Sequence, residues 1–315
     1  MSTPRPPSTS SPDHRSGFVS LVGRPNVGKS TLLNRLLGQK VAIVSPKPGT
    51  TRTRITGIRT LPQAQVVYVD TPGLHTPRGR LGEFMAATAV QALAEVDGVV
   101  FVAEATESPA ALGDESLAPL SRVAAPVLLV LNKVDRLADK QRLLPLLDAY
   151  AARYAFRELI PLSALDGTGV ERLERAIQAL LPPGPAFYPP DTVTDQPETF
   201  FVAETIREQL FLLTRHEVPY ACAVRVEELV ERQAPGDEAP LRIYIRAVIF
   251  VEQPSQKAIV IGEGAALLKR IGQAARRELE AFFGVPVYLD LWVQVRKHWR
   301  RDPKALRELG YRLTS

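Results

Sequence analysis

The chain has 315 residues, 45% of them hydrophobic and 23% charged, which suits two ordinary globular cores better than one. Its single cysteine, Cys222, excludes an internal disulfide, and its histidines (His14, His75, His216, His298) do not cluster at zinc-ligand spacing, so a reducing cytoplasm fits and a zinc module does not. No run of about 18 apolar residues is present to span a bilayer, the net charge is +5, and residues 255–315 carry twelve basic side chains against six acidic ones, marking either a polyanion-binding end or a solvated helical surface.

Residues 1–16 are rich in Pro, Ser and Thr, lack the apolar core of a signal peptide, and read as a disordered tail. Residues 18–22 read as a buried strand, followed by a glycine-containing loop and a helix with apolar spacing at Leu32, Leu33, Leu36 and Leu37 that ends near Gly38. Short apolar runs at 66–69, 98–102, 126–131 and 159–162 alternate with helical patterns such as 143–154 and 170–181. That alternation predicts an α/β domain over 17–182, a mostly parallel sheet covered by helices, with ligands beyond the C-terminal strand ends. A proline-rich stretch places a linker at 183–197. The second domain, 198–315, is expected to hold a helix at 200–213 and strands at 221–230 and 241–251 about a turn-rich 234–240. A third apolar run at 258–261 reads as a strand, followed by a glycine turn, a long helix to about Phe283, a strand at 285–295 and a basic tail helix.

Gly23-Arg-Pro-Asn-Val-Gly-Lys-Ser30 is a G-x-x-x-x-G-K-[ST] phosphate loop in its required strand–loop–helix setting. Backbone N–H groups from Gly23, Arg24, Asn26, Val27 and Gly28 onward curl around phosphates, and Pro25 lies in the same loop. Lys29 neutralises the outer phosphates, Ser30 offers a hydroxyl to magnesium, and Thr31 completes the first turn. Asp70-Thr71-Pro72-Gly73 ends a strand, so Asp70 can hold magnesium through water and Gly73 can present its N–H to a γ-phosphate. Between them Thr51, or else Thr50, can join magnesium only while the γ-phosphate is present, which would make a switch. Lys29, Thr51 and Gly73 are therefore the candidates for transition-state stabilisation.

Asn132-Lys133-Val-Asp135 follows the strand at 126–131, where the Asp135 carboxylate can accept from both N1–H and the exocyclic amine of guanine. Asn132 would tie this loop to the phosphate loop, Lys133 would lie against the purine, and Ser163-Ala164, with Leu165 beside them, would offer an N–H to O6. The reading is a GTPase. Leu74 stands where some GTPases carry a water-orienting glutamine, so slow intrinsic hydrolysis, dependent on a partner or a monovalent cation, is expected.

In the second domain, the glycine turn Gly262-Glu263-Gly264-Ala265, with Lys269 and Arg270 beyond it, suits close approach to a nucleic-acid backbone, though scaffold is an equal reading. Arg296-Lys297-His-Trp299-Arg300-Arg301 interleaves cations with a ring that either stacks on a base or anchors a core. With the four GTPase motifs, the proline linker and the tail from Trp299 to Tyr311, the chain resembles the bacterial Era GTPases over about residues 17–315, within the TrmE-Era-EngA-YihA-Septin class. The resemblance implies a P-loop GTPase domain followed by a smaller α+β type II KH domain, GTP/GDP and magnesium as ligands, and possible potassium binding at Asn26. It also implies a monomer that binds the 16S rRNA 3′ end and the 30S subunit during assembly, with peripheral contact on the inner membrane. The departure is the loop: a Gly-x-x-Gly pattern is expected where Gly262 to Ala265 stand, and Glu263 repels phosphate. The rival reading is a regulator whose basic C-terminal helix docks on anionic membranes or proteins.

Overall fold

The computed structural model describes residues 14–74, 76–94, 96–107, 116–233 and 241–312. Two compact units divide it: residues 1–41, 54–75 and 89–195 form the first, and 42–53, 76–88 and 196–315 the second.

In the first unit, β1 (Arg15–Val22), β2 (Ile55–Leu61), β3 (Ala64–Asp70), β4 (Gly98–Glu104), β5 (Val127–Asn132) and β6 (Glu158–Pro161) form one sheet in the order β2-β3-β1-β4-β5-β6. Only β2 runs antiparallel, against β3. The all-buried runs of β3 and β5 fit strands covered on both faces. Helices α1 (Lys29–Leu37), α3 (Leu143–Ala151) and α4 (Val170–Leu180) belong to this unit, while α2 (Gly79–Gln91) lies mostly in the second. β2 is an element that the apolar runs do not announce, because its Arg59 and Thr60 interrupt the pattern. The N-terminal expectation needs correction. Arg15 and Ser16 are strand residues, pinned by Arg15 to Leu181 O (2.6 Å) and Ser16 Oγ to Pro185 O (2.6 Å), and His14 Nδ1 meets Gly184 O at 2.8 Å. Residues 1–13, like His75 and the turn at 234–240, lie outside the described residues. The linker is not a free tether either: Gln65 Oε1 accepts from the N–H groups of Phe187 and Tyr188, and Thr194 donates to Thr56 O.

In the second unit, α5 (Glu198–Leu213), α6 (Val218–Ala221), β7 (Ala223–Gln233), β8 (Leu241–Val251), α7 (Pro254–Ile261), α8 (Ala266–Phe283), β9 (Val287–Val295) and α9 (Pro303–Glu308) follow one another. The sheet runs β7-β8-β9, with β8 and β9 parallel. Residues 254–261 are helical, not a strand. Pro254 occupies the first turn, and Gln253 and Gln256 form a reciprocal capping box, which outweighs the β-branched Ile259-Val-Ile261. One core, including Val202, Ile206, Ile245, Ile249, Ile271 and Leu279, lies between the sheet and α5 and α8. A second cluster joins Leu81 and Met85 of α2 to Val248, Phe250, Trp299, Leu306 and Tyr311.

Candidate functional site

The phosphate loop turns between β1 and α1 as its sequence requires. Gly28 caps α1 with φ 99°, and a Cβ there would collide with Asn132 Nδ2. Lys29 is buried, and its Nζ donates to Gly23 O (3.0 Å) and Arg24 O (2.9 Å). Burial pulls its pKa down to about 8 even though the Asp70 carboxylate works in the opposite direction. A cation held in a dry cradle at the N-terminus of a helix suits an incoming polyphosphate.

Ser30 Oγ donates to Asp70 Oδ2 at 2.6 Å, so the two oxygens named for magnesium meet at the end of β3. A hydroxyl and a buried carboxylate are the hard donors that magnesium selects, and the residues present fit that ion. Gly73 is required by space: a Cβ would stand 2.6 Å from Pro25 N. Leu74 donates its N–H to Gly23 O (2.9 Å) and packs its side chain on the Phe101 and Leu129 cluster, and that side chain has no group to orient water. Asn26, exposed at φ 65°, sits at the loop's tip.

Asn132 joins the base loop to the phosphate loop, donating to Val27 O (2.8 Å) and accepting from Ala164 N (2.9 Å). Asp135 is exposed, as an acceptor for a base must be. The Ser163-Ala164 reading is modified, because Ser163 N already donates to Thr168 O and Ala164 N to Asn132, so a purine O6 approaching Ala164 would share that N–H. Leu165 is 68% exposed beside them. Glu104, to which the sequence assigns no role, binds Lys133 Nζ. Burial pushes the Glu104 carboxyl up, but hydrogen bonds from Lys133 and Thr106 outweigh it and hold the group below its ordinary range. Lys133, at φ 65°, is thereby fixed at the ammonium end of its stem.

Thr50 and Thr51 fold with the second unit. Thr50 Oγ1 is bonded to Ser45 Oγ (2.7 Å) and Lys47 O (2.8 Å), and Thr51 is buried. The next residue, Arg52, is a feature that sequence reasoning missed. It is 3% exposed and donates to Cys222 O (2.7 Å), Tyr311 Oη (3.2 Å), Pro219 O (3.2 Å) and Tyr220 O (3.3 Å), between the rings of Phe211 and Trp299.

The glycine turn of the second unit joins α7 to α8, with Gly262, Gly264 and Ala265 all at positive φ. It borders an open groove of about 310 Å³ lined by Ala265, Leu268, Lys269, Gly272, Gln273 and Arg276 from the α8 side and Tyr288, Leu289 and Leu291 from β9. Lys269 and Arg270 are exposed, as are Glu263 and Gly264 of the turn. Sequence reasoning missed the β9 lining and Gly272; the signal was the recurrence of 265, 268, 269, 272, 273 and 276 on one helical face.

Of the two readings of Trp299, the structure selects the core anchor over the stacking ring: it is fully buried, donates Nε1–H to Ala221 O (2.9 Å) and stacks on Tyr311. Its segment packs on Val248 and Phe250, the sheet face opposite α8. Arg296 pairs with Glu308 (2.6 Å) and Arg300 with Glu252 (2.9 Å), leaving Lys297 and Arg301 as its exposed cations.

Residues 18–133 match the family described as 50S ribosome-binding GTPase, and residues 217–300 match the KH domain. A GTPase Era of Geobacter metallireducens is 50% identical over 297 residues, 94% of this chain and 98% of that one. The chain belongs to the Era GTPases. It is thus a GTPase, with a P-loop domain and a KH domain. An Era crystallised with MgGDPNP and nucleotides 1506–1542 of 16S ribosomal RNA matches with a TM-score of 0.90 and 41% identity, over 95% of this chain and 100% of that one. An Aquifex aeolicus Era variant bound to GDP and AlF4⁻ matches at 0.87, with the same identity and coverage.

Proposed function

We propose that this Era-family chain is a GTP-hydrolysing switch that binds the 3′ region of 16S ribosomal RNA and acts in assembly of the small ribosomal subunit. The observation that carries the reading is the likeness, along 95% of the chain, to an Era held with magnesium, a GTP analogue and nucleotides 1506–1542 of that RNA. In this reading Lys29 and the Gly73 N–H meet the outer phosphates, Ser30 and Asp70 hold magnesium, and Thr51 joins them only with GTP. Magnesium, when bound, neutralises charge on the phosphate oxygens. Asp135 selects guanine, and the groove beside the 262–265 turn takes unpaired RNA, with Lys269 and Arg270 on its phosphates.

Since Leu74 is packed away from the chemistry, a potassium ion at Asn26 is our candidate for assisting hydrolysis in place of a glutamine, and a higher rate in potassium than in sodium chloride tests it. The fit of a monomer with peripheral contact on the inner membrane is part of the same reading; among the described residues no helix is long and apolar enough to cross a membrane. Crosslinking in cells, with sequencing of the bound RNA, tests the whole. Reads concentrated at the 3′ end of 16S rRNA are expected, and reads scattered over unrelated RNAs would overturn the assignment.

A further inference from the structure

The sheet of the second unit is covered unequally on its two faces. Ile243, Ile245, Ala247 and Ile249 of β8 point into the core with α5 and α8. On the opposite face Val248 and Phe250 lie under the Trp299 cluster, but toward the start of β8 no such cluster among the described residues covers the face. There Tyr288 and Trp292 of β9 are 64% and 61% exposed. Alternation along β9 and its register with β8, Tyr244 to Tyr288 and Val248 to Trp292, put both rings on this face.

The rings are held in place. Tyr288 lies parallel to Tyr244, with centroids 5.6 Å apart and planes 12° from one another. Trp292 Nε1 donates to Asp290 Oδ2 at 3.0 Å. The Arg232 guanidinium sits 4.0 Å from the centre of the Tyr244 ring and reaches Glu228 at 3.3 Å, and Arg246 donates to Tyr244 Oη at 3.1 Å, with Asp290 and Glu228 within 3.7 Å. The two carboxylates are thus engaged with the arginines and the indole, while Arg242 on the same face is exposed.

Flat aromatic faces on an open sheet, bordered by arginines, are what unpaired bases stack on. We infer that this face is a second stacking surface for single-stranded RNA, with Tyr288 and Trp292 each taking a base and Arg232 and Arg242 drawing the adjoining phosphates. The inference rests on the reading that the groove of this unit binds RNA. Two observations favour RNA over a protein. Tyr288 also lines the groove, so a strand leaving it meets the open face without leaving β9, and the exposed cations Lys297 and Arg301 belong to the segment that covers the other end of this same face. Capacity agrees: a glycine-turn loop of this kind clamps about four nucleotides, far fewer than the segment 1506–1542 that the similar Era holds.

The test uses the full chain, two RNA probes and the chain's two tryptophans, of which Trp299 is buried and Trp292 exposed. One probe is a single-stranded tetranucleotide from the 16S 3′ end, and the other is the 1506–1542 segment. Trp292→Ala is expected to weaken the long probe about tenfold, the loss of roughly one stacked base, and to leave the short one unchanged; Trp292→Phe should recover most of the loss. Lys269→Glu in the groove should weaken both. Wild-type emission should be quenched by the long probe and not by the short. Quenching by the long probe with no binding of the short would sink the groove reading and keep this one. Long-probe affinity within twofold of wild type in Trp292→Ala overturns the inference, and if the same variant also loses co-sedimentation with 30S particles, the face is a protein contact instead.

Discussion

Arg52→Ala should destabilise the second unit although residue 52 lies in the loop read as a γ-phosphate sensor. Its guanidinium bonds three main-chain carbonyls of the 219–222 turn and the Tyr311 hydroxyl, and its contacts include no carboxylate. Truncation therefore strips partners from buried acceptors without stranding an opposite charge, and it empties the space between Phe211 and Trp299. Charge-assisted bonds contribute about 1.5–3 kcal/mol each but do not add, and part of the gain repays desolvation of the cation, so a net loss of about 2–4 kcal/mol is expected. Urea unfolding followed by Trp299 emission in a Trp292→Phe background measures it, since the indole loses its neighbour in the same event. Arg52→Lys should recover little, because one ammonium cannot span the turn and the hydroxyl together. A loss below about 0.5 kcal/mol in Arg52→Ala would refute the reasoning.

Ala265→Gly should stabilise the chain by about 0.5–1 kcal/mol, as the strain of alanine at φ 62° exceeds the extra chain entropy of glycine, and thermal unfolding would show the sign. A destabilised variant would mean that the Ala265 methyl, on the groove wall, contributes packing that outweighs the strain. Lys29, with its pKa lowered to about 8 by burial, is partly neutral in the free protein above that pH, and phosphates favour its charged form. Nucleotide affinity should therefore be insensitive to this group below about pH 8 and fall above it. Titration calorimetry at pH 8.5 in two buffers of different ionisation heat should show net proton uptake on nucleotide binding, and no uptake would contradict the assignment. Asp135→Asn should weaken GTP by at least about a hundredfold and favour xanthosine triphosphate, whose 2-oxo group needs a donor; retained GTP selectivity in a competition assay would count against the base site.

The nucleotide site was legible because each of its motifs is short, local and placed at a strand end. Gly23 to Ser30, Asp70 to Gly73 and Asn132 to Asp135 need only the alternation of strand and helix to be brought together. What escaped depends on long-range partners. Burial of Arg52 is decided by Cys222 and Tyr311, and that of Trp299 by Ala221, each far from it in sequence. The Glu104 to Lys133 contact follows from the register that sets Glu104 opposite Asn132. The helix at Pro254–Ile261 is different: its capping residues Gln253 and Gln256 are local, but the β-branched Ile259-Val-Ile261 mimics a strand. The groove needed β9 beside α8, which neither segment announces alone.

The proposal that this chain is a GTP-dependent switch acting on 16S rRNA is tested most directly by one affinity. The dissociation constant for nucleotides 1506–1542 of 16S rRNA would be measured with GDPNP and with GDP at fixed salt. Affinities at least about tenfold apart in the two states, an energy difference of about 1.4 kcal/mol, are the result the account predicts. Equal affinity in the two states, or none in either, would contradict it.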